Sequence, residues 1–367
     1  MSKFSKKEVF QGCLLGGAIG DALGAPIEFL SLEQILQIFG SSGVTEFVEF
    51  SSGEGVFTDD TQMTLFTAEG LLRAEHRATL RGINGALHQI TFDSYLRWLL
   101  TQSDSYFQVQ QKTEEANRLY SGWLLTREEL FSCRAPGNTC LRALRNGKMG
   151  TMKNPINNSK GCGTIMRMAP VGLMLSNNPD RAFSEGCHLS ALTHGHASGY
   201  LSGGFFAALI AFLVNGDDVK TAIWKCMKIL DLHSNHDEVK DSVLKMFSVL
   251  DDVRGRNLKP EDLEKLGGGW VAEEALAISL LCVSKYENDF EKGVIAAVNH
   301  SGDSDSIGAI TGNVLGVING LDSIPQRWKS NLQGASIVLE VAENLAIGVK
   351  GNSLEPDDDW WYKYPGY

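Results

Sequence analysis

The sequence contains no run of basic residues. Its 33 Lys and Arg are scattered over 367 positions and outnumbered by 44 Asp and Glu, for a net charge of −11. A reader of the nucleic-acid backbone needs a cationic face, so DNA and RNA are discounted as partners. An acidic protein can still bind an anionic ligand through metals, backbone N–H groups and a few local cations. Cysteine follows no pairing pattern. There are seven, an odd number, spread from Cys13 to Cys282 without a CxxC. Such usage points to reduced thiols, and the expected localisation is cytoplasmic. Long apolar runs are missing too. The most apolar stretch, 199–214, is interrupted by Ser202 and is shorter than the roughly 18 residues expected of a membrane span. It reads as a buried helix, and no membrane association is expected. Residues 1–7 carry lysines but no adjoining apolar region, so no signal peptide is expected.

Strand-like alternation is also scarce, with 44–50 the one modest candidate. Helical periodicity is clear over 60–74, 92–101, 199–214, 219–232, 239–249, 271–286 and 307–318. The expectation is an all-α, single-domain fold with long loops at 51–57, 134–139, 148–163 and 254–269, where Gly, Pro and Asn punctuate the chain. Two glycine stripes stand out: Gly12, Gly16, Gly20 and Gly24, then Gly308, Gly312, Gly316 and Gly320. A spacing of four puts each set on one helix face. Glycine costs about 1 kcal/mol in a helix interior, so the stripes call for a reason. Close backbone approach between buried helices supplies one, although Gly24 and Gly320 read equally well as helix ends.

Two clusters are rich in oxygen donors. Thr58-Asp59-Asp60-Thr61 precedes an amphipathic helix, and Asp303-Ser304-Asp305-Ser306 precedes the second glycine-striped helix. Alone, either reads as an N-cap. Together they suit hard cations such as Mg²⁺ and Mn²⁺, and two such ions about 3.5–4 Å apart could share carboxylates. Glu28 lies between Ile27 and Phe29 just after Pro26. An acid in apolar surroundings would have a raised pKa and could transfer protons; a surface loop is the alternative. Asp21 reads as a structural acid near a helix end.

The segments Gly16-Gly17-Ala18-Ile19-Gly20-Asp21-Ala22-Leu23-Gly24, Thr58-Asp59-Asp60-Thr61-Gln62-Met63 and Gly302-Asp303-Ser304-Asp305-Ser306-Ile307-Gly308, in this order, resemble the ADP-ribosylglycohydrolase family. The resemblance spans roughly residues 8–350, leaving an acidic-aromatic tail over 351–367. It implies an orthogonal all-α helical bundle with a central cleft holding two Mg²⁺ (or Mn²⁺) ions. By motif match the ligands would be Thr58, Asp59, Asp60, Asp303, Asp305 and Ser306, the last commonly Thr in the family. Glu28 matches an acidic position that contributes to catalysis, and Asp303 is a second candidate for proton transfer.

Other segments carry the resemblance further. Arg134-Ala135-Pro136-Gly137-Asn138-Thr139 and Lys160-Gly161-Cys162-Gly163-Thr164-Ile165-Met166-Arg167 look like the family's phosphate- and ribose-contacting loops. They put forward Gly137, Asn138, Gly161, Gly163 and Thr164 as substrate contacts, with Arg167 as a phosphate contact or an internal ion pair. His194 matches a ligand-side histidine but could equally be a hydrogen-bonded structural residue. His196 falls behind the site or faces solvent. Trp270 could stack on adenine or pack in the core.

The implied reaction is hydrolysis of the N-glycosidic bond of an ADP-ribosylated protein, through an oxocarbenium-like transition state, with ADP-ribose as product. Arginine is the expected linkage and serine the close alternative. A protein that blocks an ADP-ribosyltransferase toxin with the same fold ranks second, because only a short segment precedes the fold. A two-metal phosphoesterase is also compatible with oxygen ligands alone. The tail from Asp357 to Tyr367 either packs on the domain or binds a partner.

Overall fold

The structure, a computed structural model, describes residues 4–48, 54–82, 84–113, 118–349 and 359–366. It is 68% helical, with 18 helices and no strand among the described residues, so the all-α expectation holds. Seven helices bear on the site and are numbered in chain order. They are α1 (Lys6–Gly24), α2 (Asp59–Arg81), α3 (Leu87–Ser103), α4 (Asn138–Arg145), α5 (Pro179–Ala191), α6 (Ala197–Val214) and α7 (Ser304–Asn319).

The two glycine stripes face each other. A Cβ on Gly12, Gly16, Gly20 or Gly24 would overlap the backbone at Gly316, Gly312, Gly308 or Ser304 respectively. The descending order of partners makes α1 and α7 antiparallel, with backbones in direct contact along their length. Any side chain would force the two apart, which is why the helix-propensity cost of glycine is tolerated here. Gly24 therefore packs as well as ending α1. Gly320 caps α7 with φ +73, so the helix-end reading is right for it. A second close pair joins α5 to α6, where Gly186 sits against Gly203 and Gly204.

Helix α6 is the apolar stretch, lengthened to 18 residues by two at its start. It is long and apolar enough to cross a membrane, yet 78% of it is buried inside the protein. Leu201, Phe205, Phe206, Leu209 and Ile210 are each fully buried, so it is the central core helix.

The modest strand candidate does not form over 44–48, and Glu49 and Phe50 lie outside the described residues. The amide of Asn299 satisfies Val44 instead, accepting its N–H at 2.7 Å and donating to its carbonyl at 2.8 Å. One side chain thus replaces a neighbouring strand. Two of the expected loops are partly helical: 254–269 contains Pro260–Glu264, and α4 begins at Asn138. In the loop 51–57, residues 51–53 are outside the described set.

The tail's first acidic residues, Asp357 and Asp358, are also outside the described set. Its aromatic end packs on the domain. Trp360 and Tyr364 are buried. The Tyr364 hydroxyl accepts from Asn344 at 2.9 Å, and its carbonyl meets His76 Nδ1 at 2.6 Å.

Candidate functional site

The clusters at 58–60 and 303–306 meet because α1 and α7 are antiparallel and α2 starts beside their shared end. Asp21, one turn before the end of α1, organises the junction. Its carboxylate accepts from Thr58 N at 2.9 and 3.0 Å, from Thr61 N at 3.0 Å and from Thr61 Oγ1 at 2.5 Å. Asp21 is a structural acid, as expected, but the helix end it serves is the N-terminus of α2. Negative charge is favoured there.

Thr58 is the N-cap of α2 and accepts from Asp60 N at 3.3 Å; the same hydroxyl reaches Asp305 Oδ2 at 3.3 Å. The capping and clustering readings are therefore both correct. Asp59 and Asp60 occupy the first turn of α2 and are buried. Asp59 Oδ2 accepts from Gly137 N at 3.4 Å. Asp303 takes the N-cap position of α7 without capping it. Its own N–H donates to Gly268 O at 2.9 Å. Gly302 before it has φ +144 and lies too close to Gly268 for any Cβ. Asp305 Oδ1 accepts from Ser306 N at 2.8 Å. Glu28 reaches the cluster from the turn after α1, and its carboxylate oxygens lie within 4.8 Å of those of Asp303 and Asp305.

All six acids, Asp21, Glu28, Asp59, Asp60, Asp303 and Asp305, are held above the usual carboxylate range. Burial is the first cause for each. For Asp21, the charge of Asp305 adds to burial and brings it to about 7. Glu28 is pushed to about 10 by burial, then by Asp305, Asp303, Asp59 and Asp21. The expected cause, removal from water, comes first; the neighbouring carboxylates add to it, and Phe29 beside Glu28 is itself 72% exposed. Asp60 Oδ1 and Asp303 Oδ2 are buried and have no hydrogen-bond partner among the described residues. Buried carboxylate oxygens normally find a donor, and adjacent carboxylates normally find a cation. The carboxylates and hydroxyls around these two orphaned atoms therefore fit a hard divalent cation.

Above the cluster lies a cleft of about 210 Å³, lined by Glu28, Asp59, Asp60, Gly137, Asn138, Gly161, Gly163, His194, Trp270, Asp303, Asp305 and Ser306 among others. Twelve of the expected site residues thus converge on one space, with Thr58 directly behind it. Thr164 does not join them. It is fully buried, and its hydroxyl donates to Gly161 O at 3.1 Å, so it shapes the loop from within. That loop is tied to the far wall by Cys162 N donating to Trp270 O at 3.2 Å.

His194 is neutral, its pKa lowered to about 3 by burial and by the charge of Arg167. Its tautomer follows from the donors around it. Arg167 Nη2 can only donate, so Thr193 Oγ1 accepts from it at 2.6 Å and turns its own proton to His194 Nδ1 at 2.8 Å. The remaining proton is on Nε2, the atom nearest Gly161, and makes it a fixed donor at the cleft wall. Arg167 is fully buried, lies 4.4 Å from the centre of the Tyr95 ring and contacts Met63 Sδ. It does not line the cleft and has no carboxylate partner among the described residues, so it meets neither expectation, phosphate contact or ion pair. His196 caps α6 by accepting from Ser198 N at 3.2 Å.

Trp270 is 44% exposed and stacks on Phe29, with ring centres 5.7 Å apart and 17° between planes. Core packing is thus ruled out for it. Sequence reading missed Phe29 as its partner. It also missed the thiol of Cys162, which lies 3.6 Å from Ser306 Oγ and is pushed up by burial, Asp303 and Asp60. Cysteine between two loop glycines was the available signal.

The chain matches the ADP-ribosylglycohydrolase family model over residues 3–355. It is 24% identical to ADP-ribosylarginine hydrolase Tri1 of Serratia proteamaculans, over 95% of this chain and 80% of that one. It is 24% identical to ADP-ribosyl-[dinitrogen reductase] glycohydrolase of Rhodospirillum rubrum, over 88% of this chain and 89% of that one. Among solved structures, an ADP-ribosylglycohydrolase-related protein complex matches with a TM-score of 0.61 at 24% identity, covering 93% of this chain and 98% of the other.

Proposed function

The chain belongs to the ADP-ribosylglycohydrolase family, and on that premise we propose that it hydrolyses the N-glycosidic bond of ADP-ribosyl-arginine in a modified protein, releasing ADP-ribose. The observation that carries this reading is the convergence of six carboxylates, two with orphaned oxygens, at the floor of a glycine-walled cleft. The arginine linkage is favoured by a relative named ADP-ribosylarginine hydrolase.

Thr58, Asp59, Asp60, Asp303, Asp305 and Ser306 would hold two Mg²⁺ or Mn²⁺ ions. When bound, such a pair supplies positive charge to ribose hydroxyls and makes a water more acidic. The chain's own groups do the rest. Glu28, reaching the cluster from outside both helices, exchanges a proton with the attacking water or the leaving group. Backbone N–H groups of the loops at Gly137-Asn138 and Gly161-Gly163 bind the pyrophosphate, and His194 Nε2 donates a further hydrogen bond. Trp270 with Phe29 offers a flat apolar surface to adenine. The surrounding carboxylates favour the protonated guanidinium leaving group over the neutral one.

The test compares arginine- and serine-ADP-ribosylated proteins side by side, with Mg²⁺, Mn²⁺ or EDTA, reading free ADP-ribose by chromatography. ADP-ribose release from the arginine substrate, lost with EDTA and with Asp303→Ala, is expected. Release from serine alone would overturn the linkage. Full turnover by Asp303→Ala would overturn the site assignment. A protein that protects against an ADP-ribosyltransferase toxin by blocking it would do so even with Asp303→Ala.

A further inference from the structure

A second group of side chains with metal-ligating atoms, none of them lining the cleft, lies where the start of α3 meets the middle of α5. Glu185 and His188 are three residues apart on α5 and so share one face. His88, the second residue of α3, faces them. One donor atom from each of the three lies within 4.8 Å of the others. His88 Nε2 is 2.7 Å from Glu185 Oε2. The two imidazole rings are stacked, with centres 4.7 Å apart and planes within 21°. All three residues are half-buried, so a small ion can reach them while the helices hold them in place.

The hydrogen bonds also free the right atom. His188 Nδ1 meets the Ser184 carbonyl at 2.8 Å. A carbonyl only accepts, so Nδ1 carries the proton and Nε2 keeps its lone pair. Metal-bound histidine is usually oriented in this way, by the hydrogen bond of its other nitrogen. Glu185 offers an ionised carboxylate. Burial opposes its charge, but the hydrogen bond and charge of His88, then His188 and Arg181, hold it below the usual range. Among the described residues Arg181 is the competing cation, 3.8 Å from the other carboxylate oxygen, and its side chain is 59% exposed.

We propose that His88, Glu185 and His188 form a second metal site that takes a borderline transition ion, Zn²⁺ by its donor chemistry, and pins α3 to α5. Two imidazole nitrogens and one carboxylate are a zinc donor set, whereas the two acidic clusters on the cleft floor present hydroxyl and carboxylate oxygens and suit Mg²⁺ or Mn²⁺. The two sites therefore sort ions by hardness. On binding, the proton on His88 Nε2 leaves that atom, moving to Nδ1 through solvent or departing if the ring is charged.

The experiment titrates the full-length protein with Zn²⁺ by calorimetry in millimolar Mg²⁺, which keeps the cleft supplied, and repeats the titration with Co²⁺, reading its visible spectrum. Wild type and Asp303→Ala should both bind one Zn²⁺ and gain thermal stability. In His188→Ala and His88→Ala the affinity should fall by more than the about 10–100-fold cost of losing a mere supporting partner. His188→Gln, which keeps the size of the side chain, should lose binding as well. All three variants should melt as wild type does in EDTA. Wild-type Zn²⁺ affinity in His188→Ala, or loss of the zinc signal in Asp303→Ala alone, would overturn the proposal. Neither result depends on glycohydrolase turnover.

Discussion

Helix α2 carries buried acids at both ends of its first three turns, and they are treated in opposite ways. Glu69 is fully buried and ringed by donors: Arg97 Nε at 2.9 Å, Arg73 Nη1 at 3.2 Å and Ser94 Oγ at 2.9 Å. Asp59 and Asp60, on the same helix and nearly as buried, face other carboxylates instead. The first arrangement is complete within the chain. The second is electrostatically unfinished, and a buried charge left without a partner is costly. The difference separates a structural acid from one whose partner must come from outside.

Breaking each arrangement should have opposite consequences, and these are the largest effects expected. Glu69→Gln leaves Arg73 and Arg97 short of a counter-charge and should destabilise the fold by roughly 3–5 kcal/mol, measured by urea unfolding. Asp60→Asn removes one of the repelling charges, so the metal-free protein should be as stable as wild type or more so. Its turnover should nonetheless fall by about 100-fold or more, beyond the about 10–100-fold typical of outer-sphere losses. An Asp60→Asn protein that is both active and destabilised would erase the distinction.

The same contrast sets a pH dependence. In the chain without cations, Asp21 titrates near 7 and Glu28 near 10, against about 4 for carboxyls in an unfolded chain. The folded state therefore holds the extra protons. That stability is complete below about pH 4 and is lost as pH rises through the folded values. In EDTA, Tm should fall between about pH 7.5 and about pH 9, above the range in which an unfolded chain's histidines take up protons. Saturating Mg²⁺ should flatten the slope, so the Tm gain from the metal grows with pH. A metal-dependent gain that shrinks with rising pH would contradict an unfinished acid cluster.

What could be read from the sequence follows the same division between local and distant causes. Long periodic segments, such as 60–74 within α2 and 199–214 within α6, were legible because the apolar face repeats locally. The two acidic clusters and Glu28 were legible because each is a short motif. Pairing of the glycine stripes across some 300 residues was not, since a spacing of four names a face without naming its partner. Helix α5 lacked a clear apolar period, although Asn178 as N-cap and Pro179 after it were start signals. Thr164 was misplaced because a glycine loop leaves the direction of its neighbours undetermined until Gly161 O claims the hydroxyl. The Glu69 network and the His88, Glu185 and His188 group depend on chain crossings that no local pattern records.

A finer comparison lies within the cleft, between the charged floor and the neutral wall. Thr193→Val removes the hydroxyl that hands its proton to His194 Nδ1. The imidazole would then be free to carry its proton on Nδ1 and present a bare Nε2 to the cleft. Losing one such donor is worth about 1–1.5 kcal/mol, or roughly tenfold in turnover. Nitrogen chemical shifts of His194 report the tautomer directly. An unchanged tautomer with reduced turnover would remove the relay from the account.

The smallest expected effect belongs to the rim. Trp270 stacks on Phe29 at 5.7 Å while remaining 44% exposed, so it is held ready at modest cost and contributes little to the core. Trp270→Ala should leave the unfolding midpoint close to wild type. If the ring receives adenine, KM should rise by about two- to tenfold, the worth of one aromatic contact, with kcat nearly unchanged because the reacting bond lies at the acidic floor. Trp270→Phe should recover most of the loss by keeping a flat face. A fall in kcat with KM untouched would move Trp270 from holding the substrate's far end to shaping the floor itself, through the backbone bond from Cys162 N to its carbonyl.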